Sequence, residues 1–270
     1  MEDRQRTVGQ RHSNVFNEIH DGLPRQGPGN AASTAKAFAM LGGLPVGAKI
    51  LDIGCGPGLQ TVELAKLSGG EVVGFDIVQT SLSEHAAKAS LSERIRVMVG
   101  SMFVLPFTGE NFDAIWSEGA IYIIGFEKGL KDWRPLLKPE GYMVASHLSW
   151  LKLEVPDEPK AFWAKNYPAI TTIDDNLKIA EGAGYRCVGH FMLPPSGWWD
   201  AYYLPLERNL RKLRGKYRDD QQALTEINGA QEEIDLYRKH SAYYGYVFYV
   251  LQKSAAKPIR ADRAGSRPRE

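Results

Sequence analysis

Cysteine is scarce in this chain: its 270 residues include two, Cys55 and Cys187. Two thiols make neither a disulfide framework nor a zinc site, so no metal is expected and a reducing, cytoplasmic compartment is. An excess of one charge is also lacking. Lys and Arg number 33 against 32 Asp and Glu, a formal net charge of +1. Nothing in that balance calls for nucleic acid or an anionic membrane as a partner. No apolar run reaches the roughly 18 residues of a membrane span. The N-terminal MEDRQRTVGQRH is polar and lacks the apolar core of a secretory signal. No internal repeat is visible. The bulk composition, 43% hydrophobic and 24% charged, is that of an ordinary globular protein. The length allows one large α/β domain with insertions or two small domains.

The most informative stretch is Ile50-Leu51-Asp52-Ile53-Gly54-Cys55-Gly56-Pro57-Gly58. An apolar run ends in an acid and breaks into three glycines at alternate positions. The run reads as a buried parallel strand. The glycines read as a turn where a ligand can approach backbone without meeting a Cβ. Cys55 reads as a small buried residue within it. A helical pattern follows, with Leu59, Val62, Leu64, Ala65 and Leu67 apolar. Strand, glycine turn and helix make the nucleotide-binding corner of a doubly wound sheet.

The rest of the chain keeps that rhythm as far as Trp150. Residues 1–12 are expected to fray, 15–23 to form a short helix, and Ser33 or Thr34 to cap another that runs to about Leu41. Strands are predicted at 48–53, 71–76, 95–99, 112–116 and 142–146, with helices at about 58–68, 81–89 and 127–137. Lys138-Pro139-Glu140-Gly141 reads as the stop of the last of these. Alternating strands and helices imply a parallel sheet covered on both faces. Beyond Trp150 come three prolines around Phe162, Trp163 and Tyr167, a helix at 174–183, a strand at 185–193, a charged helical stretch at 200–240 and a last strand at 244–251. Residues 254–270, with five basic and two acidic residues and no apolar period, read as a disordered tail.

Gly54-x-Gly56-x-Gly58 with Asp52 two residues ahead resembles the first motif of class I S-adenosylmethionine-dependent methyltransferases. A nicotinamide or flavin enzyme would show Gly-x-Gly-x-x-Gly instead. Further positions match in order: Asp76 ending strand two; Gly100-Ser101-Met102 after strand three; Leu105-Pro106-Phe107 and Asn111-Phe112-Asp113-Ala114-Ile115-Trp116 leading into strand four; and Leu136-Leu137-Lys138-Pro139-Glu140-Gly141-Tyr142 before strand five. The resemblance is strong over about 45–150. Arg25-Gln26-Gly27-Pro28-Gly29, Trp116–Tyr122 and Tyr243–Tyr249 narrow it to a bacterial subgroup of small methyltransferases described as ubiquinone/menaquinone-methyltransferase-like. The resemblance implies a Rossmann-like single domain over 1–253. Its sheet has seven strands, mostly parallel with the last antiparallel, under a helical cap from 150–172 and 195–242. It implies transfer of a methyl group from S-adenosylmethionine to a small molecule, leaving S-adenosylhomocysteine.

It also implies site residues. Asp52, Gly54, Gly56 and Gly58 border the cofactor, with Gln60 and Thr61 opening the next helix. Asp76 would hold the ribose hydroxyls, though it can also simply cap a helix. Ile77 would pack on the adenine, with Ser101 and Met102 at its edge; the family often has an acid at Ser101. Arg25, Gln26 and Gly27 belong to an N-terminal segment folded over the cofactor, although Arg25 also reads as a solvated loop residue. Ser117 and Glu118 lie past strand four. Candidate catalytic groups are His147 and Glu118 as bases and Tyr122 as a hydrogen-bonding group. His147 can equally be structural, Glu118 can orient the cofactor's ammonium, and Tyr122 can pack. Related chains carry an acid near His147. Four tryptophans lie within 150–203, Trp150, Trp163, Trp198 and Trp199, beside Tyr167, Tyr202 and Tyr203. These rings read either as a small core or as a pocket wall for an amine or aromatic substrate. The resemblance leaves room for a homodimer. Protein or RNA methylation, binding without turnover, and dinucleotide redox chemistry are the alternatives.

Overall fold

The computed structural model describes residues 14–78 and 81–255. The segment expected to fray at 1–12 lies outside the described residues, as does the tail expected to be disordered at 254–270 apart from its first two residues. The chain begins with α1 (Asn14–Ile19) and α2 (Ala31–Ala39) and then enters the sheet. The order that follows is β1 (Lys49–Ile53), α3 (Leu59–Ser68), β2 (Glu71–Asp76), α4 (Leu82–Lys88), β3 (Ile95–Val99), β4 (Phe112–Glu118), α5 (Phe126–Trp133) and β5 (Leu137–Trp150). After it come α6 (Asp157–Asn166), β6 (Thr171–Thr172), α7 (Ile173–Gly182), β7 (Tyr185–Met192), α8 (Pro195–Trp198), α9 (Leu204–Lys216), α10 (Gln221–His240) and β8 (Tyr244–Lys253).

The sheet runs β3-β2-β1-β4-β5-β8-β7, with β6 paired off the path to β5. All pairs are parallel except the two made by β8, which lies antiparallel between β5 and β7. The last strand is therefore antiparallel, as expected. The count differs by one: β6 is an eighth strand of two residues, too short to leave a periodic signal. Strand β1 is apolar on both faces, with Ile50, Leu51 and Ile53 fully buried, because helices cover both sides. On one side Ala37, Leu64, Ala65 and Leu82 pack on Ile50, Val72 and Val144; on the other Leu130, Trp133 and Ala180 pack on Leu51, Ile115 and Met143.

Two local readings need correction. Asn30, not Ser33 or Thr34, caps α2, accepting the Ser33 N–H at 2.8 Å. That frees Thr34 to turn inward. Residues 138–141 do not stop a helix. α5 ends at Trp133, a 3-10 turn with Pro135 follows, and β5 starts at Leu137. Lys138–Gly141 form a bulge between the pairs Phe112↔Leu137 and Ala114↔Tyr142, with Glu140 at φ 59°. The bulge keeps both ends of β5 in the sheet.

The segment expected as a cap is helical. Asp220 divides its charged stretch in two by accepting the N–H groups of Gln222 and Ala223 at 3.0 Å. Leu206 and Leu210 of α9 pack with Ile227 and Ile234 of α10, together with Trp198, Tyr203 and Tyr237. This core stands beside the carboxyl ends of the parallel strands.

Candidate active site

The glycine turn is built as its spacing suggests. Gly54, Gly56 and Gly58 all have positive φ, at 73°, 51° and 88°. A Cβ on Gly54 would lie 2.3 Å from the Ala120 Cβ, and one on Gly58 2.3 Å from Leu82 Cδ1. Those two positions need glycine for the fold. At Gly56 the space is open, the nearest atom being Gln26 Oε1 at 3.8 Å. Gly56 is therefore held as glycine by its backbone angle alone, and its open face is one that a ligand could approach.

Asp76 closes the corner. Its Oδ2 accepts the Gly56 N–H at 2.8 Å, and its Oδ1 accepts that of Val78 at 3.3 Å. Beside it Ile77 is 47% exposed, an apolar surface next to an anchored acid. Ser101 accepts the Phe103 N–H at 3.3 Å. Met102 brings its Cε within 3.6 Å of the point a Gly54 Cβ would occupy. The ends of β1, β2 and β3 thus converge on one edge.

Asp52 lies beneath the turn, fully buried. The Thr61 hydroxyl donates to its Oδ2 at 2.6 Å, while Oδ1 has no partner among the described residues. Burial pushes its carboxyl up to about 7; the Thr61 bond opposes this, and the nearby Glu118 and Asp76 charges add to it. Gln60 donates to the Cys55 carbonyl at 2.8 Å. Gln60 and Thr61 therefore brace the turn from inside, and Cys55 is buried there.

Glu118, at the end of β4, is the centre of a buried cluster. Its Oε2 accepts from Arg25 Nη1 at 2.8 Å. Its Oε1 accepts from the Thr34 hydroxyl at 2.7 Å and the Trp116 indole at 2.8 Å. Arg25 is not a solvated loop residue: it is 7% exposed. Both carboxylate oxygens have donors, so Glu118 works as an anchor that draws the N-terminal segment over the strand ends. Ser117 donates to the Ile53 carbonyl at 3.0 Å and ties β4 to β1.

His147 is not brought to this place. Neighbouring strand residues face opposite sides. Leu148 lines the cleft, whereas His147 lies behind its wall, stacked on Phe126 of α5 with ring centroids 4.5 Å apart and edge-on to the cleft-lining Tyr167 at 5.7 Å. Its Nδ1 has no partner among the described residues, and burial pushes the ring down to about 3. At neutral pH it is an uncharged ring inside the protein.

A cleft of about 1130 Å³ opens between the strand ends and the cap. Gln26, Gly27 and Tyr122 border it on the sheet side, and Phe162, Tyr167, Trp198, Tyr202 and Tyr246 line it further in. Tyr122 is 44% exposed, yet that surface lies inside the cleft with protein around it. Its hydroxyl is accordingly pushed up by burial, with the Glu233 charge adding to the effect. Gln26 borders both regions, since it also faces Gly56. The aromatic residues after Trp150 serve as both core and wall: Tyr203 is fully buried, while Tyr202 lines the cleft.

The sequence reading placed none of the acids that line the cleft, Glu158, Glu232, Glu233 and Asp235, in the site. Glu233 of α10 accepts the Tyr203 hydroxyl at 2.9 Å and is held above the usual carboxylate range by burial. In sequence, Glu232-Glu233 looks like an exposed helix face. The signal was its spacing: Ala230, Ile234 and Tyr237, at −3, +1 and +4, belong to the buried side of the helix.

Comparison with known proteins matches this geometry. Residues 50–141 match the family model of a methyltransferase domain. Over those residues the chain carries a methyltransferase domain. Among curated relatives of this chain, a sterol 24-C-methyltransferase of Gibberella zeae is 26% identical over 183 residues, 63% of this chain and 48% of that protein. A demethylmenaquinone methyltransferase of Staphylococcus aureus is 31% identical over 126 residues, 46% of this chain and 52% of that protein. The chain spans about half the length of the curated relatives it matches. Among solved structures, a SAM-dependent methyltransferase from Geobacter sulfurreducens, crystallised with S-adenosyl-L-homocysteine, superposes with a TM-score of 0.74 at 20% identity, over 88% of this chain and 97% of that one. At that identity the likeness establishes the methyltransferase fold.

Proposed function

We propose that this protein binds S-adenosylmethionine at the glycine turn and transfers its methyl group to a small molecule held in the cleft. The observation that carries the reading is the Asp76 carboxylate, locked to Gly56 at 2.8 Å beside the exposed Ile77. An acid at the end of strand two, about twenty residues past a glycine turn, is where a ribose is held in doubly wound folds. The residues fit the cofactor in two further respects. Asp52 Oδ1 is a buried acceptor without a donor among the described residues, and Gly56 leaves its face open.

When bound, the cofactor supplies an electrophilic methyl group on a sulfonium. The protein's own contribution is placement. Asp76 would take the ribose hydroxyls and Ile77 the adenine face, with Ser101 and Met102 at its edge. The turn's N–H groups and the start of α3 favour a carboxylate, and Asp52 favours an ammonium group. Arg25, Thr34 and Glu118 hold the N-terminal segment across the strand ends, where it excludes water. Tyr122 and Gln26, between the corner and the cleft, would orient the acceptor. The concave aromatic wall supports a small acceptor over a protein or an RNA.

Isothermal titration with S-adenosylmethionine and S-adenosylhomocysteine tests the first half; no heat with either overturns it. Transfer of labelled methyl groups into a low-molecular-weight metabolite fraction tests the second. Label appearing solely in protein or RNA would overturn the small-molecule reading.

A further inference from the structure

Glu233 is a carboxylate in an unusual position. Its Oε1 is taken by the Tyr203 hydroxyl, and no Lys, Arg or His among the described residues pairs with it. The other cations of the cleft are engaged elsewhere or sit at its rim. Lys239 pairs with Glu158, Arg214 bonds to Asn228, and Lys165 is exposed. Of the cleft's other acids, Glu158 is met by Lys239 and His240, Asp235 by Arg238, and Glu232 is exposed. Glu233 is thus half-buried in the cleft wall and meets no counter-charge among the described residues. A partly desolvated carboxylate in that state favours a cation or a donor that reaches it.

The rings around it sharpen the point. The Glu233 charge reaches the hydroxyls of Tyr122, Tyr202 and Tyr246 and helps hold them protonated. Tyr122 and Tyr167 meet edge to face, with centroids 6.0 Å apart. Electron-rich faces and an uncompensated carboxylate attract the same kind of ligand, an organic cation.

We infer that the cleft is an amine site, in which Glu233 binds the ammonium group of the methyl acceptor and takes its proton. This inference rests on the methyltransferase reading for its chemistry. The ammonium proton passes to the Glu233 carboxylate. The freed nitrogen lone pair forms the bond to the methyl carbon as that carbon's bond to sulfur breaks, its electron pair staying on sulfur. Glu233 then gives its proton to solvent. An ammonium ion and a sulfonium become a methylated ammonium ion, a thioether and one released proton.

The test uses the full chain and two probes of nearly equal shape, phenethylamine and 2-phenylethanol, titrated with and without S-adenosylhomocysteine. The amine should bind about tenfold tighter than the alcohol, in line with a charge-assisted hydrogen bond. In Glu233→Gln, whose amide oxygen can still accept from Tyr203, that preference should fall to about unity, with S-adenosylhomocysteine affinity unchanged and the thermal midpoint no lower. Equal binding of the two probes, binding of neither, or a preference that survives in Glu233→Gln overturns the amine site. Failure of S-adenosylhomocysteine to bind overturns the methyltransferase reading, and the probe ratio still decides the amine site by itself.

Discussion

The guanidinium of Arg25 and the carboxylate of Glu118 meet at 2.8 Å, both buried, from positions 93 residues apart. The pair joins a loop before the sheet to the end of β4, and Thr34 and Trp116 complete the acceptor's bonds. Removing one partner of a buried pair leaves the other charge unmet. Glu118→Gln should therefore lower stability by about 3–5 kcal/mol, measured by urea unfolding. It should also weaken S-adenosylhomocysteine binding, because the segment it holds borders the turn. A loss under about 1 kcal/mol, the range of an exposed pair, would show that the cluster is not an anchor.

Two glycines of the turn separate fold from binding. Gly58→Ala places a Cβ 2.3 Å from Leu82 Cδ1 at φ 88°, so it should cost more than the roughly 1–2 kcal/mol of left-handed strain alone. Gly56→Ala meets no atom closer than 3.8 Å. Its stability loss should stay within that strain, while cofactor affinity falls sharply. Thermal midpoints and titration of both variants check the contrast; Gly56→Ala binding as wild type would place the cofactor elsewhere.

Asp76→Ala removes the acceptor of the Gly56 N–H and the proposed ribose ligand together. Affinity for S-adenosylhomocysteine should drop at least about tenfold, roughly 1.4 kcal/mol. Asp76→Asn retains one acceptor and should lose less. Equal affinity in all three proteins would remove Asp76 from the site.

Acid stability should carry two opposing slopes. His147 is pushed down to about 3 by burial. The unfolded chain takes its proton below about 6.5 and the folded chain does not, so this stability is present above 6.5 and lost as pH falls toward 3. Asp52 is pushed up to about 7, chiefly by burial. Its sign is reversed: stability is present below the unfolded value of 3.8 and lost as pH rises through 7. Between these limits each slope is about 1.4 kcal/mol per pH unit, and the two cancel. Relative to wild type, His147→Phe should tilt stability downward with rising pH, and Asp52→Asn upward. Urea midpoints across roughly pH 4.5–6.5 decide it; three parallel profiles would contradict both assignments.

The corner from Asp52 to Gly58, the acid at Asp76 and the parallel order of the first five strands could all be read in the sequence. They rest on short-range physics: a two-sided apolar strand, glycines at positions of positive φ, and an acid one strand further on. Side-chain partners depend on contacts that the chain makes far from home. Arg25 looked equally like a solvated residue until β4 was set beside it. His147 and Leu148 are neighbours in sequence, and only the packing of α5 on one face of β5 decided which of them sees the cleft. Glu233 looked like part of a charged surface until α10 was laid over the strand ends with Tyr203 against it. Local pattern determined the glycine corner where we propose that a cofactor sits. Tertiary packing decided what faces it across the cleft, because burial and counter-charge are properties of the assembled surface and not of any one segment.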